Sequence, residues 1–314
     1  MGGSSGSGAF SNSRSPEELR NAVRKAEDRT SVAAFETELA GVLGNLLGGY
    51  NGRDVEAMRE RLEVVKGALQ GEMVGSFDQL LGGSVAKHTY VDGLSDIDSL
   101  VLINDSALEG KSPQQVLARM AKIIGRELGS EAKITRGRMA LTIEYSDGMI
   151  IQVLPALRSK DGHMHVPSSR VVGWSKINPV AFQEALTRRN AECAGKLVPT
   201  IKLAKAIVGQ LPESQRLSGY HMESLAISAF RDYAGDKITT AMLPTFFERA
   251  RELVLSPIRD STGQSIHVDE YLGPANSEAR QAASHVLGRI ARRMRNATVA
   301  GSTAQWKALF GLEQ

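Results

Sequence analysis

One segment limits the fold and chemistry of this chain more than any other: Asp96-Ile97-Asp98, followed by an apolar run that ends at Ile103. The apolar run predicts a strand, and side chains on a strand alternate between its two faces. Asp96 and Asp98 therefore share one face, while Ile97 points to the core. Two carboxylates held this close repel each other unless a cation lies between them. A solvated Asp-x-Asp at a strand end is the alternative for such a pair taken alone.

A stretch of small residues upstream of this strand supplies a second constraint. Gly82-Gly83-Ser84 is typical of a loop that binds phosphate, because glycine lets the backbone approach a ligand and exposed amides attract anions. Oxygen ligands beside such a loop suit Mg²⁺ carrying a nucleoside triphosphate. The two features together favour a catalytic metal site over a solvated strand end.

The composition is that of an ordinary globular protein. The 314 residues are 42% hydrophobic and 23% charged, with a net charge of +3, and this length allows two domains. The single cysteine, Cys193, excludes an internal disulfide and suits a reducing cytoplasm. No apolar run reaches the roughly 18 residues that a membrane span requires. Residues 1–15 are rich in Gly and Ser and predict a disordered tail rather than a signal peptide.

Hydrophobic periodicity divides the rest of the chain into two parts. Residues 16–175 combine helical stripes up to about residue 73 with strands and a helix further on, and residues 176–314 are almost wholly helical. In the first part we expect a helix at 113–128 and strands at 133–135, 140–145 and 149–154, with Pro155 ending the last strand. In the second part we expect helices at 179–191, 197–209, 219–233, 239–253 and 277–297. The pattern predicts an α+β fold, with a catalytic domain followed by a helical domain.

With these motifs in place, the chain resembles the polymerase-β-type nucleotidyltransferases, and within them the cGAS/DncV-like CD-NTases of bacterial antiphage (CBASS) systems. The residues that carry the match to the nucleotidyltransferase core are Gly83, Ser84, Thr89, Asp96, Asp98 and Pro155. The helical half matches over residues 178–179, 197–205, 218–225 and 260–265. The resemblance covers most of the chain from about residue 75 to 295, and it implies a nucleotidyltransferase palm, a mixed sheet with flanking helices, followed by a helical domain.

The resemblance assigns roles around the phosphates and the metal. It implies that Gly83 and Ser84 hold the donor phosphates. It also implies that Asp96 and Asp98 are catalytic ligands of Mg²⁺, with Mn²⁺ as the alternative metal. Bound in this way, the metal neutralises the triphosphate and aligns the attacking hydroxyl.

Four residues of the helical half receive roles in the same way. Lys205 would reach the donor triphosphate, with Lys202 three residues away on a neighbouring helix face. Ser218 would contact a phosphate or base, and Tyr220 would stack on a base. The alternatives are a solvated helix face for the lysines, a helix N-cap for Ser218 and a packed core position for Tyr220.

The chain departs from the family pattern at residue 152. Family members usually carry a third catalytic acid just before the proline that matches Pro155, and here Gln152 takes its place. A glutamine oxygen coordinates a cation but brings no charge, so we expect one metal to bind more weakly.

Glu144 is the candidate replacement, and its position depends on the hairpin that joins two predicted strands. A two-residue turn pairs Glu144 with Ile151 and faces it away from Gln152. A three-residue turn pairs it with Ile150 and brings it to the face of Gln152, because a one-residue shift moves every side chain to the other side. Intrinsic turn preference favours the first register and the polar alternation favours the second, so both stay open.

The resulting hypothesis is an enzyme that joins nucleoside triphosphates into a cyclic or linear oligonucleotide second messenger. The resemblance implies antiviral signalling through a separately encoded effector. Two alternatives remain: linear polymer synthesis or nucleotide transfer to tRNA or protein, and a non-catalytic nucleotide sensor, motivated by Gln152. The predicted C-terminal helix has a basic face. This face is either solvated or contacts an RNA or protein activator. Its basic residues are Arg280, Arg289, Arg292, Arg293 and Arg295.

Overall fold

A mixed β-sheet and two groups of helices make up the part of the chain that the structure describes. The structure is a computed structural model, and it describes residues 16–50, 55–73, 76–81, 97–104, 110–159, 163–168, 173–258 and 269–312. The predicted tail at 1–15, the phosphate-loop residues Gly83 and Ser84, and Asp96 lie outside these ranges. The predicted α+β fold is confirmed.

The sheet has strand order β1-β2-β5-β4-β3, and β6 extends it by pairing with β5 and β7. Its strands are β1 (Ser76–Leu81), β2 (Ile97–Asn104), β3 (Ala132–Arg136), β4 (Leu141–Tyr145), β5 (Ile150–Arg158), β6 (Met164–Pro167) and β7 (Trp174–Ile177). The pair β2–β5 is parallel, and the other described pairs are antiparallel. This arrangement brings the Asp98 strand directly beside the Gln152 strand.

The helices follow the predicted periodicity closely. They are α1 (Pro16–Tyr50), α2 (Val55–Glu72), α3 (Pro113–Leu128), α4 (Pro179–Glu192), α5 (Leu197–Gly209), α6 (Gly219–Ala229), α7 (Thr239–Leu253), α8 (Glu278–Val299) and α9 (Thr303–Leu309). Helix α3 begins with a capping box between Ser112 and Gln115, which satisfies amides at the helix start. Helix α6 ends four residues before the predicted Tyr233, and Asp232 just beyond it has a φ of +54°, which a right-handed helix cannot include.

Two hydrophobic cores hold these elements. One forms between α2, α3 and the sheet, and includes Leu62, Leu69, Val116, Leu117, Ile143, Ile151 and Val153. The other lies among the C-terminal helices, and Leu39 and Leu43 of α1 belong to it. Helix α1 thus packs on the helical half although it precedes the sheet in sequence. No helix in the described ranges is long and apolar enough to cross a membrane.

The prediction that Pro155 ends its strand is wrong, because β5 continues to Arg158. Pro155 pairs with Val101 of β2 on one side. On the other side, β4 pairs no further than Val153, and β6 begins to pair only at Leu157. Proline lacks an N–H and is tolerated where a strand has an unpaired edge, and β5 has such an edge at this point.

Candidate active site

The sheet places two predicted catalytic positions side by side. Asp98 of β2 pairs with Gln152 of β5, and Gln152 pairs on its other side with Thr142 of β4. Paired positions in neighbouring strands share a face of the sheet, so these three positions form one row. Gln152 is half-buried, whereas Ile151 and Val153 on either side of it are buried in the sheet core. The row therefore lies on the open face, opposite the core.

The hairpin between β4 and β5 settles where Glu144 lies. The N–H of Gly148 donates to the carbonyl of Tyr145, and the N–H of Tyr145 donates to the carbonyl of Met149, each at 2.9 Å. These bonds enclose a three-residue turn that ends at Gly148 with a φ of +86°, a conformation that favours glycine. Glu144 consequently pairs with Ile150, and it shares the face of Gln152. Of the two registers that the sequence leaves open, the structure has the second.

A contact from a distant helix holds this turn. Both Oδ atoms of Asp147 accept hydrogen bonds from the guanidinium of Arg61 on α2, at 3.0 and 2.8 Å, and Oδ1 also accepts the N–H of Met149 at 3.1 Å. The Arg61 hydrogen bonds, followed by that from Met149, lower the pKa of Asp147 to about 2. The same guanidinium lies 4.1 Å from the ring centroid of Tyr145. Sequence reasoning missed Arg61, which is 86 residues away from its partner and belongs to no local motif.

Lys205 forms a buried ion pair at the start of α6. Its Nζ donates to Oε1 of Glu223 at 2.8 Å, and the two side chains are only 6% and 1% exposed. A Cβ built on Gly219 would lie 3.4 Å from the same Nζ, so the ammonium approaches the first turn of α6 where a glycine leaves room. The solvated-face alternative does not fit Lys205, which is buried.

Lys202 shares the electrostatic environment of Lys205. It is half-buried, and its pKa is lowered, chiefly because burial penalises the ammonium and additionally because of the positive charge of Lys205. The Lys205 ammonium is already paired with Glu223. The donor-phosphate role of Lys202 and Lys205 stays a prediction.

Ser218 and Tyr220 both flank the start of α6. The Oγ of Ser218 accepts the N–H of His221 at 3.2 Å, so this hydroxyl acts as the helix N-cap. Tyr220 is 37% exposed, and its ring packs on Phe182 of α4 with 4.5 Å between centroids. The phosphate role of Ser218 and the stacking role of Tyr220 stay predictions.

A polar network contacts the same helix start; its members His221, Asp269 and Arg280 are buried, whereas Tyr271 is partly exposed. The N–H of Ser218 donates to the hydroxyl of Tyr271 at 3.3 Å, and that hydroxyl lies 2.8 Å from Nδ1 of His221. Nε2 of the same imidazole lies 3.7 Å from Oδ2 of Asp269. Burial lowers the pKa of His221 to about 4, against the opposing charge of Asp269. His221 is therefore neutral at pH 7.

Arg280 completes this network and does not belong to the basic surface predicted for the C-terminal helix. Its side chain is fully buried, and Nη1 donates to Asp269 at 2.6 Å and to the carbonyl of Val254 at 2.9 Å. Sequence reasoning missed this role because a helical stripe of arginines carries no signal for which member turns inward. Of the other predicted members, Arg289, Arg292, Arg293 and Arg295 are exposed.

Comparisons with known proteins agree with this geometry. Residues 51–190 match the family model of the Second Messenger Oligonucleotide or Dinucleotide Synthetase domain. Among solved structures, CdnG of Bradyrhizobium diazoefficiens in complex with GTP aligns with a TM-score of 0.65 at 16% identity, over 87% of this chain and 96% of that one. CdnC of E. coli MS115-1 with ATP aligns with a TM-score of 0.59 at 17% identity, over 90% and 97%.

A third solved structure, the DncV cyclic AMP-GMP synthase of Vibrio cholerae, aligns with a TM-score of 0.58 at 13% identity, over 95% of this chain and 91% of that one. No curated protein sequence gives a significant match. The fold and the synthetase domain define the class of this protein: it is a nucleotidyltransferase. Over residues 51–190 the chain is similar to the synthetase domain family, and its described fold is that of the solved CdnG, CdnC and DncV structures.

Proposed function

We propose that this protein joins nucleoside triphosphates into a cyclic or linear oligonucleotide second messenger. The observation that carries the proposal is the pairing of Asp98 with Gln152 on the open face of the sheet, inside the matched synthetase domain. The resemblance supports it as well, because it assigns the donor triphosphate to Lys202 and Lys205 of α5, which lie close enough for the charge of Lys205 to lower the pKa of Lys202. In the reaction, an acceptor hydroxyl attacks the α-phosphate, a new P–O bond forms and pyrophosphate leaves.

Divalent metal fits the residues proposed for the site. Asp96, Asp98 and the amide of Gln152 offer oxygen donors only, which Mg²⁺ and Mn²⁺ prefer in proteins. When bound, the metal would neutralise the triphosphate and lower the pKa of the attacking hydroxyl. The protein's own contribution would be to hold the donor phosphates with Lys202 and Lys205, and to pair position 98 of β2 with Gln152 of β5.

Antiviral signalling is the proposed biological role, exerted in the cytoplasm through a separately encoded effector. The CdnC protein of E. coli MS115-1 has been solved in a complex with a HORMA protein, and that structure aligns with this chain with a TM-score of 0.57. We extend this by analogy to a protein or RNA activator for the present chain. A non-catalytic nucleotide sensor is the second candidate, and Gln152 at the third acidic position is the observation that favours it.

Product analysis distinguishes these functions. The purified protein is incubated with each labelled ribonucleotide and deoxyribonucleotide triphosphate, alone and in mixtures, with Mg²⁺ and then with Mn²⁺. Mass spectrometry of the products identifies cyclic, linear or polymeric species, and added tRNA or protein reveals transfer to a macromolecule. We expect an oligonucleotide and pyrophosphate, both lost in Asp96→Asn/Asp98→Asn. Triphosphate binding without turnover under every condition would instead establish the sensor.

A further inference from the structure

We propose that Glu144 supplies the third carboxylate of the metal site, the charge that Gln152 does not carry. This inference rests on the proposed function, because it assigns a residue to the cation site of nucleotidyl transfer. The observation behind it is the hairpin register, in which Glu144 lies opposite Ile150 and therefore one pleat away from Gln152 on the same face.

The distances across an antiparallel pair allow the two side chains to converge. Diagonal neighbours have Cβ atoms about 7–8 Å apart or somewhat less, within reach of long side chains. Glutamate is one methylene longer than aspartate, and an oxygen ligand lies about 2.0–2.6 Å from Mg²⁺ or Ca²⁺. A cation above Gln152 is thus within reach of Glu144 from β4 and of position 98 from β2.

The surroundings of Glu144 leave its carboxylate available for this role. Ile143 and Tyr145 beside it in sequence are buried, whereas Glu144 is exposed on the open face. Within the described ranges, no hydrogen bond or ion pair takes up its carboxylate. The other acid of this hairpin, Asp147, is bound by Arg61 at the turn. Glu144 is consequently the acid of the hairpin that is placed to face a ligand.

An alternative role for Glu144, which needs no metal, is a cross-strand ion pair with Lys133. Lys133 lies directly opposite Glu144 on β3, and opposite charges at paired positions stabilise a sheet. A purely structural pair of this kind would affect the stability of the metal-free protein and leave metal affinity unchanged. The two roles therefore differ in a direct binding measurement.

The test is to titrate the purified protein with Mn²⁺ alone. Electron paramagnetic resonance measures the free Mn²⁺ at each step and so gives the affinity of the protein for the ion. We expect Glu144→Gln to weaken Mn²⁺ binding at least about tenfold, the loss typical even of groups that only support a ligand. The matched control is Glu127→Gln, which removes an exposed acid from α3 on the core side of the sheet and should leave affinity unchanged. In Glu144→Gln/Gln152→Asp the acid returns to the same face, and binding should recover.

Each outcome decides one question. If Asp98→Asn weakens Mn²⁺ binding but Glu144→Gln does not, the role of Glu144 is overturned while the proposed function stands. If Asp98→Asn has no effect either, the metal site of the proposed function is itself wrong. A lowered melting temperature of metal-free Glu144→Gln with unchanged Mn²⁺ affinity would assign Glu144 to the pair with Lys133 and also overturn the inference.

Discussion

The buried pair of Lys205 and Glu223 yields a prediction that separates folding from substrate binding. Lys205→Met removes the ammonium and keeps a side chain of similar length, but it leaves the Glu223 carboxylate, only 1% exposed, without its cation. Breaking a buried ion pair from one side costs about 3–5 kcal/mol. Because a domain is typically stable by about 5–15 kcal/mol, this single change removes a large part of the free energy of unfolding. A loss of activity in Lys205→Met would therefore say nothing about the triphosphate.

A double variant removes that ambiguity. Replacing both partners by apolar side chains of similar volume is often neutral or stabilising. The free energy of unfolding of Lys205→Met/Glu223→Met should therefore lie within about 1 kcal/mol of that of the unmodified protein. Urea denaturation monitored by circular dichroism gives the free energies of unfolding for the cycle. If Lys205 also holds the donor phosphates, the double variant will fold and yet bind nucleoside triphosphate weakly.

Two results would refute this reasoning. Lys205→Met with the urea midpoint of the unmodified protein would mean that the pair is not energetically coupled. A double variant that folds and binds triphosphate with unchanged affinity would remove Lys205 from the donor site while leaving its structural role intact.

Three further predictions concern stability. The pKa of His221 falls from 6.5 to about 4 on folding, so His221 should contribute stability above pH 6.5 that is lost as the pH drops towards 4, by about 3 kcal/mol in total. In His221→Gln the free energy of unfolding should depend less on pH in this range. An unchanged pH dependence would contradict the prediction. Gly148→Ala places a side chain at a φ of +86° and should cost about 1–3 kcal/mol in urea unfolding, whereas the control Gly125→Ala within α3 should be neutral or stabilising. Ser112→Ala removes the cap of α3 and should lower the free energy of unfolding by about 1 kcal/mol; a smaller loss than in an exposed-site control would count against the capping contribution.

Local signals predicted the parts of the fold that depend on neighbouring residues. Helix α3 begins and ends where its hydrophobic periodicity indicates, and the alternation of β4 predicted which of its side chains reach the core. Pro155 was wrongly predicted to end its strand, because the tolerance for proline depends on where β4 stops pairing. The inward turn of Arg280 depends in the same way on Asp269, which is distant in sequence.

The hairpin register shows why the candidate site could be only partly predicted. The turn sequence alone prefers a two-residue connection, and the observed turn is held by Arg61 from α2. Burial of Ile143 and Tyr145 requires this register, because a one-residue shift would move both side chains to the open face. The apolar alternation of β4 thus outweighs the local turn preference and leaves Glu144 on the open face. The grouping of Asp98 and Gln152 in one site followed from the resemblance, but their pairing in neighbouring strands and the side of the sheet that Glu144 occupies required the structure.

The sheet also explains how a catalytic acid can change strands without disturbing the fold. A metal ligand at this site must lie on the open face and within reach of the cation. Gln152 on β5 lies on that face, and Glu144 on β4 lies on it one pleat further along. An acid at Ile143 or Ile151 would be buried in the core without a partner, at the cost that makes such positions apolar. The alternation of the strands therefore limits a compensating carboxylate to a few positions, and Glu144 is the acid that β4 provides among them. The neutral side chain at residue 152 is for this reason compatible with the enzymatic function that we propose.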